Sequence, residues 1–248
     1  MPFVKTDFSI PLNELRRESA NKEEDLAGGT NFRPICLKCR VFNSSPGSAY
    51  AEFGETKVLA RVYGPIEDPN GDISSASLSL KMLGIPDSVQ IESQVLSMIK
   101  TCVMVHKYSQ CSFEVEVTAL NDDGGLLQCV MVAVSLALAD AEVLSLLVVM
   151  DLFQVLDMVV AAHVARTPSG QWIVDPTRHQ VVPGYSECTI AMMPNQNQIV
   201  CCDIRGGHVT SSQVEEFISF ATDKAMRLYP VVRKALLAVV PEGDASTC

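Results

Sequence analysis

The segment from Leu126 to Ala139 is nearly all apolar, with alanines interleaved among larger side chains. A helix that is hydrophobic all round has no face to give to water. The segment therefore predicts a helix buried between layers, and every other element must be placed around it. Asp123-Gly124-Gly125 precedes it directly. The two glycines there allow a sharp strand-to-helix turn with close backbone approach. The longer stretch from Leu126 to Val164 is apolar enough to raise a membrane-spanning reading. Asp140, Glu142, Asp151 and Asp157 argue against it, since each costs about 2.5–3.5 kcal/mol near the centre of an inserted helix.

The layers come from short β-prone runs. Pro34 to Phe42, Ala49 to Phe53 and Lys57 to Tyr63 predict a three-stranded meander, separated by Ser44-Ser45-Pro46-Gly47 and Gly54-Glu55. Gly64 to Asp72 reads as a turn-rich loop. Ser93 to Val105 has helical spacing, and Phe113, Val115 and Val117 alternate with polar residues as a strand with one wet face does. Further strands are expected at Met158–Arg166, Trp172–Val174, Cys188–Met193 and Ile199–Ile204, the first two joined by a Thr167-Pro168-Ser169-Gly170 turn. Ser212 and Glu215 form the pattern of a capping box for a long C-terminal helix, and Pro230 is expected to end or kink it. Residues 1–31 read as a polar arm, 32–240 as one domain, and 241–248 as a disordered tail. With 48% of 248 residues apolar, that domain can bury a sizeable core.

The formal net charge of -10 is the wrong sign for a free-standing nucleic-acid binder, which neutralises phosphates with a basic face. Any RNA contact must be local or shared with more basic partners. The 9 cysteines show no framework, and several lie in apolar runs as small hydrophobes. With no charged-then-apolar leader at the start, they point to a reduced intracellular compartment. Cys36 and Cys39 form a lone C-x-x-C without a second pair at zinc-site spacing, so they read as strand thiols and no metal site is expected. His106, His163, His179 and His208 are dispersed, and no Ser or Cys sits in a nucleophile-like turn.

Several blocks, in order, carry a resemblance. Phe32 to Pro65 holds an Arg-Pro start, a Gly-Ser before a strand, the Glu52-Phe53-Gly54-Glu55-Thr56-Lys57-Val58 turn and a Gly-Pro exit. Asp122 to Val143 holds Asp-Gly-Gly and a buried helix ending in Ala139-Asp140-Ala141. Trp172 to Gln180 (WIVDPTRHQ) leads to the strand Cys188 to Val200, and Arg227 to Leu236 (RLYPVVRKAL) lies near the end. Each is common alone; together, in this order, they resemble the RNase PH family of phosphorolytic exoribonucleases and exosome ring subunits. The resemblance implies an α+β fold, the RNase PH-like arrangement (ribosomal protein S-five domain-two-like) of mixed sheets packed with helices.

It also implies where catalysis would sit. Active members follow Asp-Gly-Gly with Thr-Arg, and the arginine clamps inorganic phosphate through bidentate hydrogen bonds. This chain has Leu126 and Leu127 there. The arginine that active members carry on the preceding helix would fall in Val95 to Ile99, where only Lys100 is near. Their acidic pair lies six and twelve residues beyond the counterpart of Asp175, which here means Val181 and Glu187. The resemblance thus implies a catalytically silent subunit, without cofactor, that pairs with other RNase PH-like exosome subunits and RNA-binding cap proteins. RNA would pass through a shared channel, in nucleus, nucleolus and cytoplasm, with no membrane involved. A phosphorolytic exoribonuclease with a diverged site is the alternative. Relatives line the channel with basic residues on two loops; here the first has Ile66, Glu67, Asp68 and Asp72, and the second has His106, Lys107 and Gln110. Lys107, then His106, are the RNA-contact candidates, with Arg178 a third that an ion pair to a neighbour explains equally well. Residues 144–155 read as an apolar insertion at an element junction, either a helix extension packing on a neighbour or a mis-predicted exon boundary.

Overall fold

The computed structural model describes residues 31–85, 88–147, 155, 157–207 and 209–238. Residues 1–30 of the polar arm, the tail and residues 148–154 of the expected insertion lie outside them. Ile35–Cys39 (β1), Gly47–Phe53 (β2) and Thr56–Glu67 (β3) form the expected antiparallel meander. Cys111–Asn121 (β5) pairs antiparallel with β3, and Ser77–Leu83 (β4) pairs parallel with β5, giving a 5-stranded sheet in the order β1-β2-β3-β5-β4. The helix Ser88–Cys102 (α1) connects the parallel pair, a crossover that parallel strands require. Val160–Arg166 (β6), Trp172–Val174 (β7), Ser186–Met193 (β8) and Gln198–Gly206 (β9) make a 4-stranded antiparallel sheet ordered β7-β6-β8-β9.

Leu126–Leu147 (α2) touches β2 and β3 of the first sheet and β6 and β8 of the second. Its Val130, Met131, Val132, Val134 and Leu136 are fully buried. Burying each such side chain contributes about 1.5–3 kcal/mol, an upper estimate because unfolded chains are already partly collapsed. Its few polar residues serve the sheets. Ser135 Oγ accepts the Val159 N–H at 2.7 Å, and Gln128 Oε1 accepts the His163 N–H at the side of β6 that β7 leaves open. Asp140 accepts the N–H groups of Arg40 and Ser48 at 3.2 and 3.1 Å and pairs with the Arg40 guanidinium at 3.5 Å. The residue before Ser48 must be glycine, because a Cβ on Gly47 would stand 2.1 Å from the Ala137 carbonyl oxygen. No helix among the described residues is long and apolar enough to cross a membrane.

Four local expectations need correction. The Gly64–Asp72 loop begins later than its Gly-Pro suggests: β3 runs through a cis Gly64–Pro65 bond to Glu67, with a register shift between Tyr63 and Ile66 that absorbs the missing proline N–H. The strand β4 is an addition to the expected set. The long final helix, Ser211–Leu237 (α3), starts earlier than its Ser212–Glu215 pattern suggests; the Gln213 side chain accepts the Thr210 N–H at 2.9 Å instead. Pro230 does not end α3. It removes the N–H partner of the Met226 carbonyl on an exposed face (Met226 is 41% exposed), while Leu228 and Val232 hold the helix against the core. At the junction read as an insertion, Leu144–Leu147 continue α2, and Val155 bridges to Val103.

Candidate functional site

The motif residues meet at one turn. Arg33 Nε and Nη2 donate to the two carboxylate oxygens of Asp175 at 2.8 and 2.7 Å, and the Asp175 side chain is fully enclosed. The same guanidinium donates to the carbonyls of Asp123 and Gly124 at 3.2 and 3.0 Å. Thr56 Oγ1 donates to the Gly124 carbonyl at 2.7 Å and accepts the Asp123 N–H at 3.0 Å. Burial alone would lower the Arg33 pKa; the hydrogen bonds and charge of Asp175 more than offset this, holding it above its ordinary value. Gly124, at φ +97°, has no room for a Cβ, which would lie 2.7 Å from the Pro176 carbonyl. The Arg178 N–H closes the turn on the Asp123 carbonyl at 2.8 Å. Arg-Pro, Gly-Glu-Thr, Asp-Gly-Gly and Asp-Pro-Thr-Arg are thus four pieces of one mechanical joint at the start of α2.

Beside the joint opens a cleft of about 450 Å³. Leu126, Leu127, Val181 and Glu187 all line it, and so does Arg178. The two leucines sit in the first turn of α2, 8% and 6% exposed, at the mouth of the Asp-Gly-Gly turn. Apolar side chains there offer no donor to an anion. Glu187 comes from β8, where His163 Nε2 lies 3.4 Å from its Oε2. The hydrogen bond to His163 holds the Glu187 carboxyl below its ordinary value, against the opposing effect of burial. His163 Nδ1 is 2.9 Å from Thr189 Oγ1, so the ring is fixed from both sides. The cations at the cleft are already matched: Arg178 to Asp122 at 3.0 Å and Arg205 to Asp203 at 2.7 Å.

Sequence reasoning misses part of this lining. His163, one of four dispersed histidines in the sequence, faces Glu187 because β6 and β8 are register neighbours, His163 opposite Thr189. A polar residue inside an otherwise apolar strand is the available signal. Arg205 and Asp203 arrive from β9, and Gln90 and Ile91 from the first turn of α1. Val95 and Ile99, which bound the stretch where a second phosphate arginine would fall, are buried in the core rather than in the cleft.

His106 and Lys107 do not line the cleft. They lie exposed on the short 3-10 turn Val105–Lys107. Their loop is joined to the one after β3 by backbone hydrogen bonds, Asp68 N to Gln110 O at 2.8 Å and Gln110 N to Asp72 O at 2.9 Å. The two loops singled out in the sequence therefore form one surface, with Asp68 and Asp72 beside the two basic candidates. Arg178 belongs to the cleft instead. Cys36 and Cys39 are three residues apart on β1, which turns them to opposite faces of the sheet.

The comparisons with known proteins agree with this geometry. Residues 31–143 match the model of the "3' exoribonuclease family, domain 1", RNase PH. The exosome complex component MTR3 of Homo sapiens is 27% identical over 260 residues, covering 92% of this chain and 92% of that protein. The exosome complex component Rrp41 of Thermococcus kodakarensis is 28% identical over 221 residues, covering 83% and 84%. The crystal structure of rice (Oryza sativa) Rrp46 superposes with a TM-score of 0.72 at 18% identity, covering 86% of this chain and 99% of that one. Residues 31–143 thus match an RNase PH domain, and the chain takes the RNase PH-like fold.

Proposed function

We propose that this chain is a non-catalytic core-ring subunit of an RNA exosome. It supports 3'-to-5' processing and degradation of RNA by pairing with other RNase PH-like subunits and with RNA-binding cap proteins, in nucleus, nucleolus and cytoplasm. The observation that carries this reading is the split fate of the family's features. The joint built from Arg33, Thr56, Gly124 and Asp175 is complete, whereas the cleft beside it has leucines at the phosphate turn and valine at one of the two acidic positions. The family's phosphate turn has no guanidinium here, and of its two acidic positions only Glu187 keeps a carboxylate. The likeness to exosome components over most of their length supports the assembly role, and the net charge of -10 suits one member of a charge-complementary ring.

A second reading, a diverged phosphorolytic exoribonuclease, is favoured by Arg178, Arg205 and Glu187 sharing one cleft. Incubating the purified chain, and then a reconstituted ring, with RNA and inorganic phosphate separates the two. The structural reading expects no nucleoside diphosphate from this subunit. Diphosphate release that Glu187→Gln abolishes overturns it. Affinity purification tests assembly independently: a chain that brings down no RNase PH-like partner is not a ring subunit.

A further inference from the structure

Three side chains of the cleft form a relay that neither the joint nor phosphorolysis uses. His163 stands opposite Thr189 in the register of β6 and β8, and Glu187 lies two residues before Thr189 on β8. Cross-strand partners, and residues two apart on one strand, share a face, so register alone brings the three together. Thr189 Oγ1 is 2.9 Å from His163 Nδ1, and His163 Nε2 is 3.4 Å from Glu187 Oε2. Glu187 titrates below its ordinary value because of its hydrogen bond with His163, and an ionised carboxylate can only accept. In the neutral imidazole Nε2 therefore carries the proton, and Nδ1 accepts the hydroxyl of Thr189. A hydroxyl donating to an imidazole that a carboxylate orients is the arrangement of an activated nucleophile. The cleft wall also includes Ile91, Leu126, Leu127 and Val181, an apolar surface that suits an aliphatic chain. The helix α2 begins at Leu126, and the first N–H groups of a helix have no acceptor within it. A Cβ on Gly125 would stand 3.6 Å from His163 Cδ2, so the entry of that helix abuts the ring.

We propose that this cleft hydrolyses carboxylic esters with short aliphatic acyl groups, Thr189 being the nucleophile, His163 the general base and Glu187 the positioning residue. Thr189 Oγ1 attacks the ester carbonyl carbon while its proton passes to His163 Nδ1, and the carbonyl electron pair moves onto oxygen. The first N–H groups of α2 receive that oxyanion. The pair returns, the bond from carbon to the alcohol oxygen breaks, and His163 gives its proton to the departing alcohol. Water, losing a proton to His163, then attacks the Thr189 ester; the acid leaves and Oγ1 regains a proton. Water is the one co-reactant, and nothing is oxidised or reduced. The leucines that take the phosphate donor away thus supply an acyl wall. Ester cleavage needs neither a phosphate guanidinium nor a second acid, so it stands or falls apart from the exosome reading.

The test incubates the purified full chain with p-nitrophenyl butyrate, without RNA or inorganic phosphate. Nitrophenol release is followed, and the acyl group is located by peptide mass spectrometry after an acid quench. Turnover above that of buffer is expected, with a butyryl group on Thr189. Thr189→Val, which keeps the shape and loses the hydroxyl, is expected to abolish both, and Thr189→Ser to retain them. His163→Gln is expected to lower turnover by about 10²- to 10⁴-fold. Glu187→Gln is expected to lower kcat and leave KM unchanged, since Glu187 acts on the ring and not on the ester. Bis(p-nitrophenyl) phosphate is expected to remain intact. Turnover no faster than buffer overturns the proposal, as does turnover that survives Thr189→Val or a butyryl group found only on other residues. If the variants fail to fold, the position of the acyl group in the unaltered chain decides.

Discussion

Arg33 and Asp175, 142 residues apart in sequence, meet as a two-pronged ion pair that spans the joint between the two sheets. Removing one partner of a buried, hydrogen-bonded pair leaves the other charge uncompensated, at a cost of about 3–5 kcal/mol. Asp175→Asn is expected to lower the urea midpoint accordingly. Arg33→Lys is expected to recover only part of the loss, because an ammonium cannot serve two carboxylate oxygens and two carbonyls at once. Equal stability of Asp175→Asn and the unaltered chain would show that the joint is held elsewhere.

Gly47 has the least room for a Cβ of the described glycines, against the central helix α2. A methyl there would meet the Ala137 oxygen at 2.1 Å and the Ala141 Cβ at 2.7 Å, both on a helix pinned between two layers. Gly47→Ala is expected to destabilise by about 3 kcal/mol or more, and its melting temperature checks this. Gly170→Ala, at φ +90° with only the Arg166 guanidinium near its added carbon at 3.9 Å, gives the cost of backbone strain without a clash, whereas Gly47 is not at positive φ and its loss is steric.

The Glu187–His163 contact makes a pH prediction. Glu187 has a folded pKa below its ordinary 4.5, so its contribution is fully present above that value. It is lost as pH falls through the lower folded value. Because the Glu187 side chain is 30% exposed, the contribution is of order 1 kcal/mol or less. The stability difference between the unaltered chain and Glu187→Gln is expected to shrink as pH drops below the glutamate range. A gap that widens there would contradict the assignment.

In an assembled ring, Lys107→Ala is expected to weaken RNA binding uniformly across sequences and to reduce the salt slope by about one unit. Arg178→Ala, in the cleft and paired with Asp122, is expected to leave that slope unchanged. Binding titrations at two or more salt concentrations distinguish them. The reverse order would move the RNA path from the exposed turn to the cleft.

Much of the fold is legible in the amino-acid sequence itself. The apolar run from Leu126 and the glycines before it dictate a buried helix with a tight entry, short β-prone runs bounded by turns locate the meander and the second sheet, and period-two alternation locates β5. The strand β4 is missed although Ser77–Leu83 alternates polar with apolar residues, because it follows a serine-rich loop and its partner β5 lies beyond an intervening helix. At the site, Leu126, Leu127, Val181 and Glu187 can be named because their spacing from Asp-Gly-Gly and Asp175 is local. His163, Asp203 and Arg205 cannot, since only strand register carries them into the cleft. Ser212–Glu215 and Thr210–Gln213 both satisfy the capping pattern, and only the chain's actual entry into α3 chooses between them.

The Arg33–Asp175 pair also sets an order of events during synthesis. The ribosome releases the meander and the apolar helix α2 well before residue 175 emerges, so for that interval the joint lacks its carboxylate and the helix lacks its second sheet. A contact of such long range is closed late and at high entropic cost. The interval leaves one of the most hydrophobic stretches of the chain uncovered on one side, which is when a nascent chain is most exposed to aggregation. Chaperone dependence of this chain should therefore peak in the window between completion of α2 and completion of β8.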